Sequence, residues 1–414
     1  MNKNPSSGAA ETAPHMPLAG TRVIDISNFL AAPLASMFLS DFGAEVIKVE
    51  RPGTGDEVRR WGEVKNGVGL YYKAVNRNKK SVTADLRTPL GVEIVKRLVK
   101  DADILVENYR PGTLEKWGLS PAILQEINPG LIVLRVTGFG QTGPNHKRPG
   151  FGTIAEAYAG YVYISGEPKG PPLLPGFGLA DATTGLMGAY LASVALHEKR
   201  RSGRGQVIDL ALYETLLTLL GPQVVNYDQL GLIQERAGSR LPFTAPRNIY
   251  TTRDGKFISV GGSAQSIFER ICTALEIPDL PKDPRFIDNP TRLKNVDALD
   301  AALQAAISRF DRDELMRRFL ELEAAISPVN NVEDVCRDEH IASRENIVAL
   351  PDDELGAPLR MQNVVGKLSR TPGKIRHTGP RMGQHNREVL VDLLGFSEAE
   401  LAKNGIDLGA TRTS

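Results

Sequence analysis

Along the first half of the chain, hydrophobic and polar positions alternate between two periods. Thr21-Arg-Val-Ile-Asp-Ile-Ser27 is short and β-branched, which predicts a buried strand. Leu34 to Phe42 has helical spacing and stops at Gly43; Glu45-Val-Ile-Lys-Val-Glu50 predicts the next strand. This is a βαβ unit, for which a right-handed crossover is expected. The pattern recurs. A helix follows Thr88-Pro89 to about Val99, and a strand runs from Asp103 to Glu107. Another helix starts at Ser120-Pro121, and another strand spans Leu131 to Val136. Ser or Thr ahead of a first-turn Pro marks both helix starts. The pattern predicts an α/β fold, with an open, largely parallel, Rossmann-like sheet covered by helices.

A small-residue stretch, Ala182 to about Arg201, predicts a long helix that stops at Ser202-Gly203-Arg204-Gly205, before a strand at Gln206 to Leu210. Asp181 stands at its start. A carboxylate there is either a structural cap or a charged nucleophile held ready. Unpaired N–H groups and the helix dipole favour its ionised form in both readings. From about Asn226 to Phe319 the texture changes. A turn at Thr251-Thr-Arg-Asp-Gly255 leads into a strand, Lys256 to Val260. Amphipathic helices follow near Ser266 to Leu275 and Leu299 to Phe310. The expected organisation is a loose tail (1–17), a large α/β domain (18–225), a smaller α/β domain (226–327) and a return to the large domain (328–414). A final helix is expected near Arg387 to Leu394.

Composition narrows the function. The 414 residues are 41% hydrophobic and 24% charged, enough for a sizeable core. A net charge of +1 gives no sign of a nucleic-acid or anionic-membrane partner. Two cysteines, Cys272 and Cys336, are too far apart for a metal knuckle, so a disulfide-free, cytoplasmic protein is expected. No signal peptide and no apolar run of transmembrane length are read. The six histidines show no metal-ligand spacing, so no metal is expected.

The turn after the first strand, Ser27 to Pro33, lacks glycine, which removes the GxGxxG dinucleotide fingerprint; the P-loop and GxSxG patterns are also missing. Carboxylates and backbone N–H groups remain as chemical resources. Four basic loops could hold a phosphorylated ligand or be ordinary solvated turns: Glu50 to Asp56, Asn76 to Ser81, Asn108 to Gly112 and His146 to Phe151.

Taken in order, several stretches carry a family likeness. They are Val23-Ile-Asp-Ile with Leu30-Ala-Ala-Pro33; Asp41-Phe-Gly-Ala-Glu-Val-Ile-Lys-Val-Glu-Arg-Pro-Gly-Thr-Gly-Asp56; Asn76-Arg-Asn-Lys-Lys-Ser81; and Val106-Glu-Asn-Tyr-Arg-Pro-Gly112. Gly138-Phe-Gly-Gln-Thr-Gly-Pro144, Arg148-Pro-Gly-Phe151, the Asp181 helix with Ser202-Gly-Arg-Gly-Gln206, and Gly383-Gln-His385 complete the set. From about residue 17 to 400 the chain resembles the class III CoA-transferases, the formyl-CoA transferase and carnitine CoA-transferase family of CaiB/BaiF type.

The resemblance implies that Asp181 is the catalytic nucleophile, passing through an aspartyl–acyl anhydride and an aspartyl-CoA thioester. It places Arg51, Arg87, Asn108, Tyr109, Arg110 and Lys116 along the CoA, and Leu30 and Ala31 beside the thioester. Some members carry Gln where this chain has Leu30. Coenzyme A and acyl-CoA enter as substrates, with no tightly bound cofactor, and two interlocked chains are implied.

Phe151, Gly152 and Glu156 fall in the substrate region. Gly152 stands where some members are acidic, and Glu156 stands where many have Gln; shaping or polarising the acyl site and plain structural use are both open for Glu156. Ser239 to Pro246 lacks the glycine-rich lid of the formyl-CoA enzymes, which argues against oxalate. Arg148 to Ala157 and Pro246-Arg-Asn look more like members acting on C4–C5 dicarboxylates or hydroxy acids. Two alternatives stay open. The α-methylacyl-CoA racemase branch shares the fold but carries His where Phe151 stands, and proton transfer needs such an acid/base group. A non-catalytic acyl-CoA-binding protein would share the binding residues.

Overall fold

The computed structural model describes residues 16–408, so all but the last two residues of the expected tail lie outside the described residues. Two compact units emerge. The first comprises the chain up to Ala159, Pro175–Leu220, and the chain from Ala342 onward; the second comprises Gly160–Leu174 and Gly221–Ile341. The excursion Gly160–Leu174 and the boundary at Ala342 differ in position from the expected division at 225/226 and 327/328.

In the first unit, six strands form one sheet: β1 (Arg22–Asp25), β2 (Glu45–Glu50), β3 (Lys79–Thr83), β4 (Ile104–Glu107), β5 (Ile132–Thr137) and β6 (Val207–Ala211). Their order is β3-β2-β1-β4-β5-β6, and every neighbouring pair is parallel. Winding runs outward from β1 in both directions, so a topological switch point lies between the ends of β1 and β4. Asn28 and Asn108 lock that point. The Asn28 N–H donates to Asn108 Oδ1 at 2.9 Å, and Asn108 Nδ2 donates to the Asn28 carbonyl at 2.6 Å.

Side chains alternate between the two faces of the sheet. Ile24, Ile47, Leu105 and Val133 pack under α3 (Pro89–Lys100). Val23, Val46, Ile104 and Leu134 pack under α1 (Ala31–Asp41) and the long helix that opens beside Asp181. Thr88 and Ser120 cap α3 and the helix Pro121–Ile127 through their side-chain oxygens, as the Thr-Pro and Ser-Pro signals predict.

β3 was not expected. Asn76 to Ser81 had read as a basic loop, yet Lys79 to Thr83 forms the edge strand, with Lys79 fully buried. Lys79 Nζ donates to Asp25 Oδ2 at 2.9 Å and to the Pro33 carbonyl at 2.8 Å. Lys48, also fully buried, binds Asp56 Oδ2 at 2.8 Å and the Ser27 carbonyl at 2.8 Å. The two lysines hold the Asp25 carboxyl far below its usual range, against the opposing effect of burial. The open edge of β3 is covered by the late Gly383-Gln-His385 piece. The Ser81 N–H donates to His385 Nδ1 at 3.1 Å, the His385 N–H to the Ser81 carbonyl at 2.9 Å, and the Thr83 N–H to Asn386 Oδ1 at 2.8 Å. Such cover protects an edge from pairing with other chains. A π-type helical segment, Arg387–Leu393, follows as expected near the end, and a further helix, Glu398–Lys403, comes after it.

The long helix spans Leu179–Ser202 and ends at Gly203, whose φ of 72° is open to glycine. Its glycines permit close packing on α1. A Cβ on Gly185 would lie 2.6 Å from Leu34 Cβ, and one on Gly188 would lie 3.1 Å from Ala35 Cβ. By length and composition this helix could cross a bilayer, a correction to the expectation that no such run exists. Gly185, Gly188, Ala192 and Ala195 are buried on this helix, as core packing requires.

The second unit has an antiparallel sheet of β7 (Arg247–Thr251), β8 (Phe257–Gly261) and β9 (Ile326–Pro328), with β8 central. Helices Gln265–Ala274, Val296–Ile307 and Arg312–Glu321 bury Phe268, Ile271, Leu303 and Phe319 against Tyr250, Ile258 and Val260.

Replacing Lys48 with Met leaves the buried Asp56 carboxylate without its cation, while Asp25 keeps Lys79. Urea unfolding should show a loss of about 3–5 kcal/mol, while Lys80→Met, in a part-exposed pair with Glu45 and Glu388, should cost below about 1 kcal/mol. Equal losses in the two variants would contradict the buried-charge account.

Candidate active site

Loops at the ends of β1, β4 and β5 meet at the switch point around a cavity of about 250 Å³. Asn28 to Ala31 line one wall, and Asn108 to Pro111 another; Val136 to Gly138, His146, Arg148, Gly150 and Phe151 line a third, with Leu212 also on the lining and Asp181 opening into it. Gly138 and Gly150 touch backbone to backbone, since a Cβ on either would lie 2.5 Å from the other's Cα.

Asp181 is not the cap of its helix. The N-cap is Gly178, which has no side chain to donate or accept, and Asp181 sits in the first turn. Glu156, on the helix α6 (Gly152–Tyr158; helices α2, α4 and α5 are Leu70–Val75, Thr113–Lys116 and Pro121–Ile127, and the Asp181 helix is α7), takes the orphan amide instead. The Ala180 N–H donates to Glu156 Oε1 at 3.1 Å. The Asp181 carboxylate has no hydrogen-bond or ion-pair partner among the described residues, and Gly152 makes room for it: a Cβ at that position would overlap Asp181 Oδ2. Burial, and then the charge of Glu156, push the Asp181 carboxyl up to about 6. The sequence reading had the helix start favouring the ionised form of this group. Its nearest amide is used elsewhere, so desolvation wins. At pH 7 about nine-tenths of it is still ionised.

Aromatic rings form one side of the cavity. Phe29 adopts a left-handed φ of 63°, uncommon for a side-chain-bearing residue. Its N–H donates to Asp56 Oδ1 at 3.1 Å, the same Asp56 that binds Lys48. Its ring meets Trp61 and Phe151 edge-on, with centroids 6.0 and 5.8 Å apart. Tyr71, on α2, packs against Trp61 at 6.4 Å. Burial and the Asp181 charge raise the Tyr71 hydroxyl above its usual range. Phe29, Trp61 and Tyr71 escaped the sequence reading. Only Phe29 had a signal, its place in the turn after β1.

A second cavity, about 210 Å³, shares Asn28 and Tyr109 with the first. Arg51, Thr54, Gly55 and Glu57 line it from the loop after β2; Asp85, Leu86 and Arg87 line it from the loop after β3; Trp117 closes it. Tyr109 meets Trp117 edge-on at 4.8 Å, and its N–H donates to Glu107 Oε2 at 2.7 Å. Arg87 is held by Asp85, Nε to Oδ1 at 2.9 Å and Nη2 to Oδ2 at 2.6 Å.

The expected residues therefore fall into groups. Leu30, Ala31, Asn108, Tyr109, Arg110, Phe151 and Asp181 line the first cavity; Arg51, Arg87 and Tyr109 line the second. Gly152 and Glu156 flank Asp181 from α6. Lys116 is exposed at the end of α4, beside Trp117, and lines neither cavity. Among the described residues, no group of three or more His, Cys, Asp or Glu could hold a metal ion.

A family model, CoA-transferase family III, matches residues 18–386. The chain belongs to this family. It is 44% identical over 390 residues to a succinyl-CoA–D-citramalate CoA-transferase of Chloroflexus aurantiacus, covering 94% of this chain and 97% of that one. It is 41% identical over 393 residues to the beta subunit of a succinyl-CoA–L-malate CoA-transferase of the same organism, covering 94% and 97%. A CaiB/BaiF family protein from Brucella suis has the same architecture, with a TM-score of 0.82 and 33% identity over 92% of this chain and all of that one. The chain is thus a class III CoA-transferase, an enzyme that transfers CoA between acids. The racemase and binding-protein alternatives give way to this assignment.

Gly152→Ala tests the space around the transferase's half-buried Asp181 carboxylate. The added methyl displaces Asp181, so kcat should fall about 100-fold while circular dichroism and melting temperature stay near wild type. Unchanged kcat would show that this contact does not position the carboxylate.

Proposed function

We propose that the enzyme moves CoA from succinyl-CoA, or a similar dicarboxyl thioester, to a C4–C5 dicarboxylic or hydroxy acid, with Asp181 as nucleophile. The observation that carries this reading is Asp181 itself: a carboxylate without a partner among the described residues, at the wall of the cavity where the β1 and β4 loops meet. The substrate class is supported by the citramalate and malate enzymes to which the chain is similar.

In the proposed reaction, Asp181 attacks the thioester carbonyl and the C–S bond breaks, giving a mixed anhydride and CoA thiolate. The thiolate attacks the aspartyl carbonyl of the anhydride. The donor acid leaves as a carboxylate, and an aspartyl-CoA thioester remains. The acceptor carboxylate attacks that thioester and expels the thiolate, which then attacks the acceptor's acyl carbon. Acyl-CoA forms and Asp181 is regenerated. No proton has to move, which suits a site whose Phe151 cannot carry one.

The start of α1 supplies donors for the tetrahedral oxyanion. Leu30 and Ala31 line the cavity there, and no side chain caps those amides. The shared wall of Asn108 and Tyr109 suits the pantetheine arm. Arg51 and Arg87 suit the phosphates, with Arg87 exchanging Asp85 for a stronger anion. Arg110 and Lys116 supply further positive charge at the two mouths. Glu156 shapes the acyl end from behind Asp181.

A second copy completes the enzyme, in the interlocked form that the resemblance implies. Leu186, Tyr190 and Val194 support this: they recur every four residues on α7, with exposures of 53%, 62% and 48%. Light scattering that returned a single-chain mass would overturn the dimer. Sparse cysteine usage, with Cys272 and Cys336 far apart in the sequence, fits the cytoplasm; fractionation of expressing cells tests that placement.

Purified enzyme mixed with succinyl-CoA and a panel of acids should form new acyl-CoA species, followed by chromatography. Asp181→Ala should lose transfer and keep CoA binding; full transfer in that variant would contradict the nucleophile. Stability supplies an independent reading. A carboxyl raised in the folded state is a cost absent below its unfolded pKa and fully present above the folded value of about 6. Asp181→Asn should therefore be more stable than wild type at pH 8, on the order of 2 kcal/mol, and the gain should vanish below about pH 4.

A further inference from the structure

Glu156 is 3% exposed and forms no ion pair among the described residues. A buried carboxylate with no cation beside it is costly and needs a reason. Its recorded partner is the Ala180 amide at 3.1 Å, one of the unpaired donors at the start of α7. Asp181 is the very next residue. Without Glu156, the Asp181 carboxylate is the acidic group in the first turn of α7 that could answer this helix terminus.

We propose that Glu156 is a positioning residue of the transfer reaction: it takes the α7 amide that would otherwise solvate Asp181, and its adjacent charge keeps the nucleophile unbridged and basic. The inference rests on Asp181 being the nucleophile and adds what keeps it reactive. A carboxylate bound to helix amides is a poorer nucleophile and a weaker base. One left dry beside a second negative charge gains by forming a neutral anhydride or thioester, because either product removes its charge.

The other charged or titratable groups around α7 are accounted for. Tyr71 faces Asp181 from α2, and its hydroxyl is raised by that carboxylate. Tyr158 shares α6 with Glu156 and meets Phe139 and Tyr213 edge-on. On α8 (Leu212–Leu219), beside Tyr213, Glu214 accepts the Ala211 N–H at 2.9 Å. Beneath the helix, Arg135 of β5 pairs with Glu107 and Glu115, and Asp209 of β6 accepts the Gln141 N–H. On α1, Asp41 is paired with Arg77. Arg110, His146 and Arg148 line the cavity without a hydrogen bond or ion pair to Asp181 among the described residues, and the Asp181 shift comes from burial and then Glu156.

The experiment measures the pH dependence of kcat/KM for succinyl-CoA in wild type, Glu156→Gln and Glu156→Asp. Gln keeps the amide acceptor and the volume but removes the charge. Its acid limb should move down by about one pH unit, and transfer at pH 8 should fall about tenfold as the nucleophile becomes less basic. Asp keeps the charge and withdraws from the amide, so its acid limb should stay nearer wild type than that of Gln. An acid limb unmoved in Glu156→Gln, or moved equally in both variants, overturns the proposal. Neither result touches the assignment of Asp181, which fails on a separate observation, full transfer by Asp181→Ala.

Discussion

The site depends on close backbone approach. Helix α7 reaches α1 because Gly185 and Gly188 put no side chain between them, and Asp181 keeps its place because Gly152 leaves it space. Packing density in protein interiors makes such contacts unforgiving, since one methyl group has nowhere to go. The small residues of α7 therefore set the distance between the carboxylate and the amides at the start of α1, the place proposed for the thioester. The chemistry follows from that geometry.

Beneath this contact lies a layer of buried charge. Asp25, Lys48, Asp56 and Lys79 neutralise one another where water cannot reach. Replacing such a set by apolar groups often costs little, so stability alone does not explain it. Its placement does. Lys48 holds the Ser27 carbonyl, and Asp56 holds the Phe29 amide, so the turn after β1 is pinned in a conformation it would not adopt freely. That turn carries Leu30 and Ala31 into the cavity. Charge is well satisfied under the floor and poorly satisfied at Asp181. The folded state bears an electrostatic cost at the proposed nucleophile.

The alternating pattern in the sequence made five of the six parallel strands legible, because their hydrophobic runs are plain. β3 was hidden because its lysines look like surface charge. The counter-charge that makes Lys79 tolerable in the sheet, Asp25, comes from 54 residues away. The same limit applied at the site. Asp181 was visible through its motif, but its cap role was misread, since the real acceptor, Glu156, comes from 24 residues upstream on another helix. Trp61 and Tyr71 carried no periodic signal and came behind the Phe29 ring through tertiary packing. The loops after β2 and β4 line neighbouring cavities that share Asn28 and Tyr109, and the turn after β1 is built on Phe29.

The central claim is that Asp181 becomes covalently joined to CoA during turnover. It is tested most directly by mixing the enzyme with succinyl-CoA and no acceptor, quenching in acid, and mapping peptides by mass spectrometry. The account predicts a CoA adduct on the peptide containing Asp181, converted to a hydroxamate by hydroxylamine and absent from Asp181→Ala. An adduct on another residue, or turnover with no covalent species in enzyme shown to be active, would contradict it.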